Sequence, residues 1–168
     1  MSSSTGRSLI NLGIPKFPSI QDPALASEFL RLYNAINIMA TTLDTMQCRI
    51  PVVFKEAVAL GAMVNIYPDT AGTGLFARQA INSSMGMMAH GYCPENDVQI
   101  DDVGEIIAMG IHPFITGLTP GTTYYLSGTA GIVTPSKPVG AGRIVQPIGF
   151  ATSSTQLFVN PNLLPTQL

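Results

Sequence analysis

The stretch QCRIPVVF, residues 47–54, is where this chain changes its hydrophobic period. Pro51 restricts the residue before it to extended backbone, so a helix arriving from the N-terminal side ends here. Beyond it the chain alternates in strand fashion, with β-branched and aromatic side chains at short range. The sequence therefore predicts a helical piece before residue 50 and a β-domain after it.

The helical piece is DPALASEFLRLYNAINIMATTLDTM, residues 22–46. Asp22 suits an N-cap and Pro23 the first helical position. Glu28 falls in the early turns, where the helix dipole favours an acid. Leu25, Phe29, Leu32, Ile36, Met39, Leu43 and Met46 recur in steps of four and three. That is the seam of a coiled coil, sustained for about three heptads. Phe29, Ile36 and Leu43 occupy a positions, and the other four occupy d. The flanking e and g positions hold Ala26, Tyr33, Ala35, Ala40 and Thr42, with Glu28 the clearest charge. Two-stranded coils keep charged flanks, so these small neutral ones predict a broader contact, as in a three-stranded bundle. A helix packed on its own β-domain would show a similar stripe. The terminal position and the adjoining arm favour the oligomeric reading.

Residues 1–21 read as an extended arm. Pro15 and Pro18 block a helix, while Ser2, Ser3, Ser4, Gly6 and Gly13 loosen the backbone. Leu9, Ile10, Leu12, Ile14 and Phe17 are more apolar than a purely disordered tail would carry, which predicts an arm that orders on a partner.

From residue 50 the segments IPVVF, AVALGAMVNIY, GLFARQAI, MGMMAHGY, GEIIAMGI, TTYYLS, RIVQPIGFA and TQLFVN read as strands. PDTAGTG, CPEND, TGLTPG and TPSKPVGAG separate them as turns. The expected class is mainly β: an arm over 1–21, one oligomerising helix over 22–49, and a compact antiparallel sandwich or barrel over 50–168. Pro147 predicts an edge strand or bulge. Gly149 predicts a close backbone approach.

Composition limits the function. Charged residues are 11% of the 168, against about 25% in an average soluble domain. Apolar residues are 46%, yet no apolar run reaches the roughly 18 residues of a membrane span. So few charges predict a surface largely covered by copies of the chain or by a partner. The eight Lys and Arg residues are scattered and the net charge is −2, which gives no footprint for nucleic acid. The two cysteines are far apart and residues 1–15 lack the apolar core of a signal peptide, so assembly in a reducing cytoplasm is expected.

The C-terminal third, GLTPGTTYYLSGTAGIVTPSKPVGAGRIVQPIGFATSSTQLFVNP at 117–161, resembles a module of bacteriophage virion proteins. ARQAINSSMGMMAHGY, residues 77–92, is similar to the preceding part of such a module. The resemblance runs from about Leu75 onward. The helix is similar to trimerising helices of phage fibre proteins. The resemblance implies a structural role in the virion as a trimeric capsid decoration (cement) protein or short head fibre. It also implies the chain itself and the major capsid protein or other virion proteins as partners. A tail fibre, spike or baseplate piece that contacts the host surface is the alternative.

Candidate chemistry is sparse. Glu95, Asp97, Asp101, Asp102 and Glu105 crowd one segment, and a hard cation such as calcium would use several such oxygens. Their spacing is not that of an EF-hand, and a solvated turn is expected. The same acids would have to serve a carbohydrate-active enzyme, the reading from a different class. His90, Cys93, His112 and Cys48 contain no CxxC pair, and structural roles are expected for them. VGAGRI lacks the rest of a dinucleotide fingerprint, and GxxxxGK[ST] and GxSxG are absent. No enzyme, cofactor or metal is expected. Tyr33, Tyr67, Tyr92, Tyr124 and Tyr125 could face a sugar, but core packing is the expectation.

Overall fold

The computed structural model describes residue 25, residues 27–36 and residues 48–168. Two compact units divide the chain, Met1–Asp44 and Thr45–Leu168. In the first, Leu25 and residues 27–36 are helical, and an exposed Glu28–Arg31 pair at 3.1 Å spans one turn. The cap at Asp22 and Pro23, the seam residues Met39, Leu43 and Met46, and the arm residues Leu9, Ile10, Leu12, Ile14 and Phe17 lie outside the described residues.

The second unit begins with β1 (Cys48–Phe54), followed by β2 (Met63–Pro68), β3 (Leu75–Gln79), β4 (Gly91–Tyr92) and β5 (Val103–His112). These five close into a barrel in the order β1-β3-β2-β4-β5, with β5 returning to β1. The closure has a consequence for strand direction. Five strands cannot alternate all the way round a ring, so one neighbouring pair must run parallel. That pair is β1 and β3, with Val53 opposite Phe76 and Phe54 opposite Ala77. The expectation of a purely antiparallel domain is corrected at this seam. The domain also starts earlier than residue 50, because Cys48 and Arg49 are already strand rather than the end of the helix.

β5 is the longest strand and runs past the barrel. Gly110, Ile111 and His112 pair with β10 (Gln156–Val159), which pairs with β9 (Pro147–Ser153), then β6 (Thr123–Leu126) and β7 (Val133–Thr134). A separate ribbon joins β8 (Ile144–Val145) to β11 (Thr166–Gln167). Two expected strands are shorter than their sequence patterns. Residues 57–62 form a turn and an isolated bridge rather than extending β2. MGMMA includes a single 3₁₀ turn at Met85–Met87.

Alternation along the strands makes two cores. Val52, Phe54, Val64, Ala77, Cys93 and Ile106 fill the barrel. Met63, Tyr92 and Ile107 form one cross-strand row on the barrel's outer wall, in register across β2, β4 and β5. That row packs with Leu126, Ile148, Ala151, Leu157 and Val159 of the other strands in the second core. Each fully buried aliphatic or aromatic side chain here contributes ~1.5–3 kcal/mol.

Polar side chains tie the irregular segment 80–90 to these strands. Gln146 is fully buried, accepts a hydrogen bond from Ala89 N–H at 2.8 Å and donates to Ala89 C=O at 2.8 Å. It thus pairs with Ala89 as a strand residue would, and it donates to the Asn162 carbonyl at 3.0 Å as well. Asn82 donates to Leu126 C=O at 3.1 Å and accepts from Arg143 at 2.8 Å. Among the described residues no buried side-chain polar atom lacks a partner.

Two glycines mark contacts that leave no room for a side chain. A Cβ on Gly91 would sit 2.3 Å from the Ile107 carbonyl, where β4 meets β5. On Gly149 it would sit 1.9 Å from the Phe158 carbonyl, the close approach expected from the sequence. Pro147 opens β9 and stands beside a register shift, where Tyr125 lies opposite Pro147 and Tyr124 opposite Gly149.

Two substitutions test this packing. Gln146→Met leaves two buried Ala89 groups without partners, so chemical denaturation should show a loss of about 2–5 kcal/mol. Gly149→Ala should lower the melting temperature well below that of Gly86→Ala, whose Cβ would meet nothing within 4 Å.

Candidate interaction surface

Leu25 and helical residues 27–36 present exposed apolar side chains. Leu25 is 60%, Leu32 58% and Ile36 42% exposed, and Phe29 is also exposed. These are the N-terminal members of the expected seam, a turn apart on one face. Leu30 and Tyr33 are exposed too, so the apolar surface is wider than the a and d positions alone. A wide stripe is what a contact with more than one neighbouring helix uses.

On the β-domain, Ile111, Phe158 and Phe150 face one another across β5, β10 and β9. The Phe150 and Phe158 rings lie 5.6 Å apart, and Phe150 is 47% exposed. Met109, also exposed, precedes this row on β5 and pairs with Cys48. No pattern in the sequence marks this surface, because it depends on register between strands that local spacing does not relate.

The acidic segment is dispersed by its own contacts. Asp101 pairs with Lys55 and Glu105 with Arg49 at 3.4 Å. Asp102 accepts from Gln99 N–H at 2.7 Å, and Glu95 accepts from Glu105 N–H at 3.0 Å. Among the described residues no three His, Cys, Asp or Glu side chains converge where they could hold a metal ion. Cys48 is exposed and Cys93 is buried in the barrel, where burial pushes its thiol pKa up. A thiol held protonated is a poor nucleophile.

The tyrosines divide between core and surface. Tyr92 is buried and donates to Ile111 C=O at 2.7 Å; burial pushes its hydroxyl up to about 12, with Arg49 opposing. Tyr124 is buried and accepts from Thr119 N–H at 3.1 Å. Tyr67 lies edge-on to Phe76, with the Arg78 guanidinium over its ring at 4.5 Å. Arg78 also donates to Asn65 at 3.0 Å and to Gly86 C=O at 2.9 Å, so this cation serves the fold. An open groove of about 560 Å³ lies between residues 59–62, 114–119 and 130–133, with Pro135, Gln79 and Tyr124 also in its wall.

Both histidines act as structural acceptors. His90 Nδ1 accepts from Ile66 N–H at 3.0 Å, and burial lowers its pKa. His112 is fully buried and stacks on Tyr92 at 4.3 Å. Its Nδ1 accepts from Phe114 N–H at 3.1 Å, which assigns the proton to Nε2, donating to Gly61 C=O at 2.7 Å. Burial holds this imidazole below its ordinary value of 6.5. Protonation would turn Nδ1 into a donor facing the Phe114 N–H. The unfolded chain therefore takes up a proton at a higher pH than the folded one. Stability is full above about pH 6.5 and falls as the pH drops below it. Thermal melts between about pH 7.5 and 5 should show this decline, and His112→Gln should melt lower at neutral pH with a shallower dependence.

No protein-family profile, curated protein or solved structure matches this chain.

Proposed function

We propose that this chain is a structural protein of a bacteriophage virion. It assembles as a homotrimer through the helix and binds the capsid surface as a decoration protein or short head fibre that stabilises the shell. The observation that carries the reading is the heptad-spaced apolar face of Leu25, Phe29, Leu32 and Ile36, on which Leu32 and Ile36 stand exposed, on a helix with few charges. Such a stripe is stable in water only when covered, and each side chain gains ~1.5–3 kcal/mol on full burial. Met39, Leu43 and Met46 continue the heptad in sequence.

The resemblance of residues 117–161 to phage virion modules supports the setting. Arm residues Leu9, Ile10, Leu12, Ile14 and Phe17 are the elements proposed to dock on capsid protein. The mechanism proposed is binding rather than catalysis, in keeping with four of the five acids, Glu95, Asp101, Asp102 and Glu105, which hold Lys55, Arg49 or backbone amides.

The test is association in solution. Sedimentation equilibrium of the full chain should return three times the 17.8 kDa protomer mass. Leu32→Asp with Ile36→Asp should return the protomer mass, with the β-sheet circular dichroism unchanged. An oligomer that survives this double substitution would refute the seam.

A further inference from the structure

We propose that His112 is a proton-operated latch: its neutral imidazole holds residues 113–117 in the wall of the open groove, and protonation at Nδ1 frees that segment while the barrel stays folded. The latch works within a single chain and needs neither the seam nor a partner.

The attachment of the segment comes first. Residues 113–117 follow β5 directly and read PFITG. Pro113 has no N–H to give. Among the described residues, Phe114 N–H to His112 Nδ1, at 3.1 Å, is the one hydrogen bond that these five residues make. The next anchor is Leu118 N–H, which donates to Ser154 C=O at 3.0 Å. Gly117, at φ +75°, lets the chain turn just before that anchor. Ile115 packs against the second core, which draws the segment back when the latch closes. Phe114, Ile115, Thr116 and Gly117 line the groove, and so does Gly61. One imidazole therefore ties two lining residues, Phe114 and Gly61, to each other.

The two ties respond to a proton in opposite ways. Nε2–H donates to Gly61 C=O at 2.7 Å in the neutral ring and goes on donating in the imidazolium. Nδ1 accepts in the neutral ring but carries a proton in the imidazolium, which then meets the Phe114 N–H. A single proton thus keeps one contact and reverses the other. The ring has little room to turn away. It is fully buried, stacks on Tyr92 at 4.3 Å, and its Cε1 would lie 2.8 Å from a Cβ on Gly61. The segment, with Phe114 44% exposed, is the side that yields.

Among the described residues, no element packed on the ring offers an acid to hold the imidazolium. Residues 59–62 read ALGA, 113–119 PFITGLT and 156–159 QLFV, without a titratable or charged side chain. Leu157 of β10 lies opposite His112. From β4, Tyr92 presents its ring; its hydroxyl donates to Ile111 C=O, and burial pushes it up to about 12. Arg49 of β1 reaches Tyr92 with a positive charge and pairs with Glu105, the acid of β5 itself. Burial holds the imidazole below its ordinary value of 6.5, so neutral pH keeps the latch closed and acid opens it.

The test follows amide exchange in the full chain by NMR from about pH 7.5 to 5, with each rate corrected for the intrinsic pH dependence of exchange. Leu118 N–H and Gly61 N–H, which donates to Cys93 C=O at 2.8 Å, are the references. Protection of Phe114 N–H should fall about tenfold or more as the His112 ring titrates, while both references hold. His112→Gln should make Phe114 exchange independent of pH, and His90→Gln should keep the step. If His112→Gln does not fold, the wild-type references and His90→Gln decide. Phe114 protected to the same degree at both ends of the range would overturn the latch. Loss of protection at Phe114, Gly61 and Leu118 together would also overturn it, because the whole domain would then be unfolding. A step that survives His112→Gln, or disappears in His90→Gln, would overturn it as well.

Discussion

Strand β5 is the constraint on which the β-domain depends. Ile106 faces the barrel interior and Ile107, the next residue, faces the second core. One strand therefore serves two hydrophobic interiors with consecutive side chains, and its length lets it leave the barrel and join β10. A one-residue slip in its register would exchange the two faces and expose both cores at once. The row Met63–Tyr92–Ile107 carries the same division across three strands. Loss of β5 would open the barrel and detach the outer sheet together.

Around that strand the domain holds its irregular parts with polar side chains rather than with more sheet. Gln146 pairs with Ala89, Asn82 bridges Leu126 and Arg143, and His112 joins Gly61 to Phe114. Each of these groups is buried and satisfied, which removes the penalty that an unpaired one would impose. Several residues of the candidate chemistry are held in the same way: His112 is a neutral acceptor, the Cys93 thiol is buried in the barrel, and Glu95, Asp101, Asp102 and Glu105 hold cations or backbone amides. The surface left open on the helix and on the outer sheet is apolar.

Much of the β-domain was legible in the sequence. IPVVF, GEIIAMGI, TTYYLS and TQLFVN appear as strands because their alternation reflects burial on one face. Gly149 was readable because a glycine inside an apolar strand signals close approach. The parallel pair of β1 and β3 was not readable: it follows from an odd number of strands in a closed ring, which no local pattern records. AVALG and MGMMA misled because apolar runs without strict alternation fit a packed turn as well as a strand. Spacing alone places Leu25, Phe29, Leu32 and Ile36 on one face of the helix, and the described helical residues agree with that much. The row Ile111–Phe158–Phe150 could not be read from spacing, since its members are brought together only by strand register. The two phenylalanines become neighbours only when β9 and β10 are laid side by side.

On the proposed reading, the apolar arm residues, the heptad spacing and the charge-poor β-domain would serve one task, covering surfaces within a virion shell. The most direct measurement is its copy number in purified particles, by quantitative mass spectrometry against the major capsid protein. A decoration protein requires a number comparable to that of the capsid protein, and that is the predicted result. Absence from the particles, or a few trimers per particle, would contradict it; the second result would move the chain to the tail or to a unique vertex.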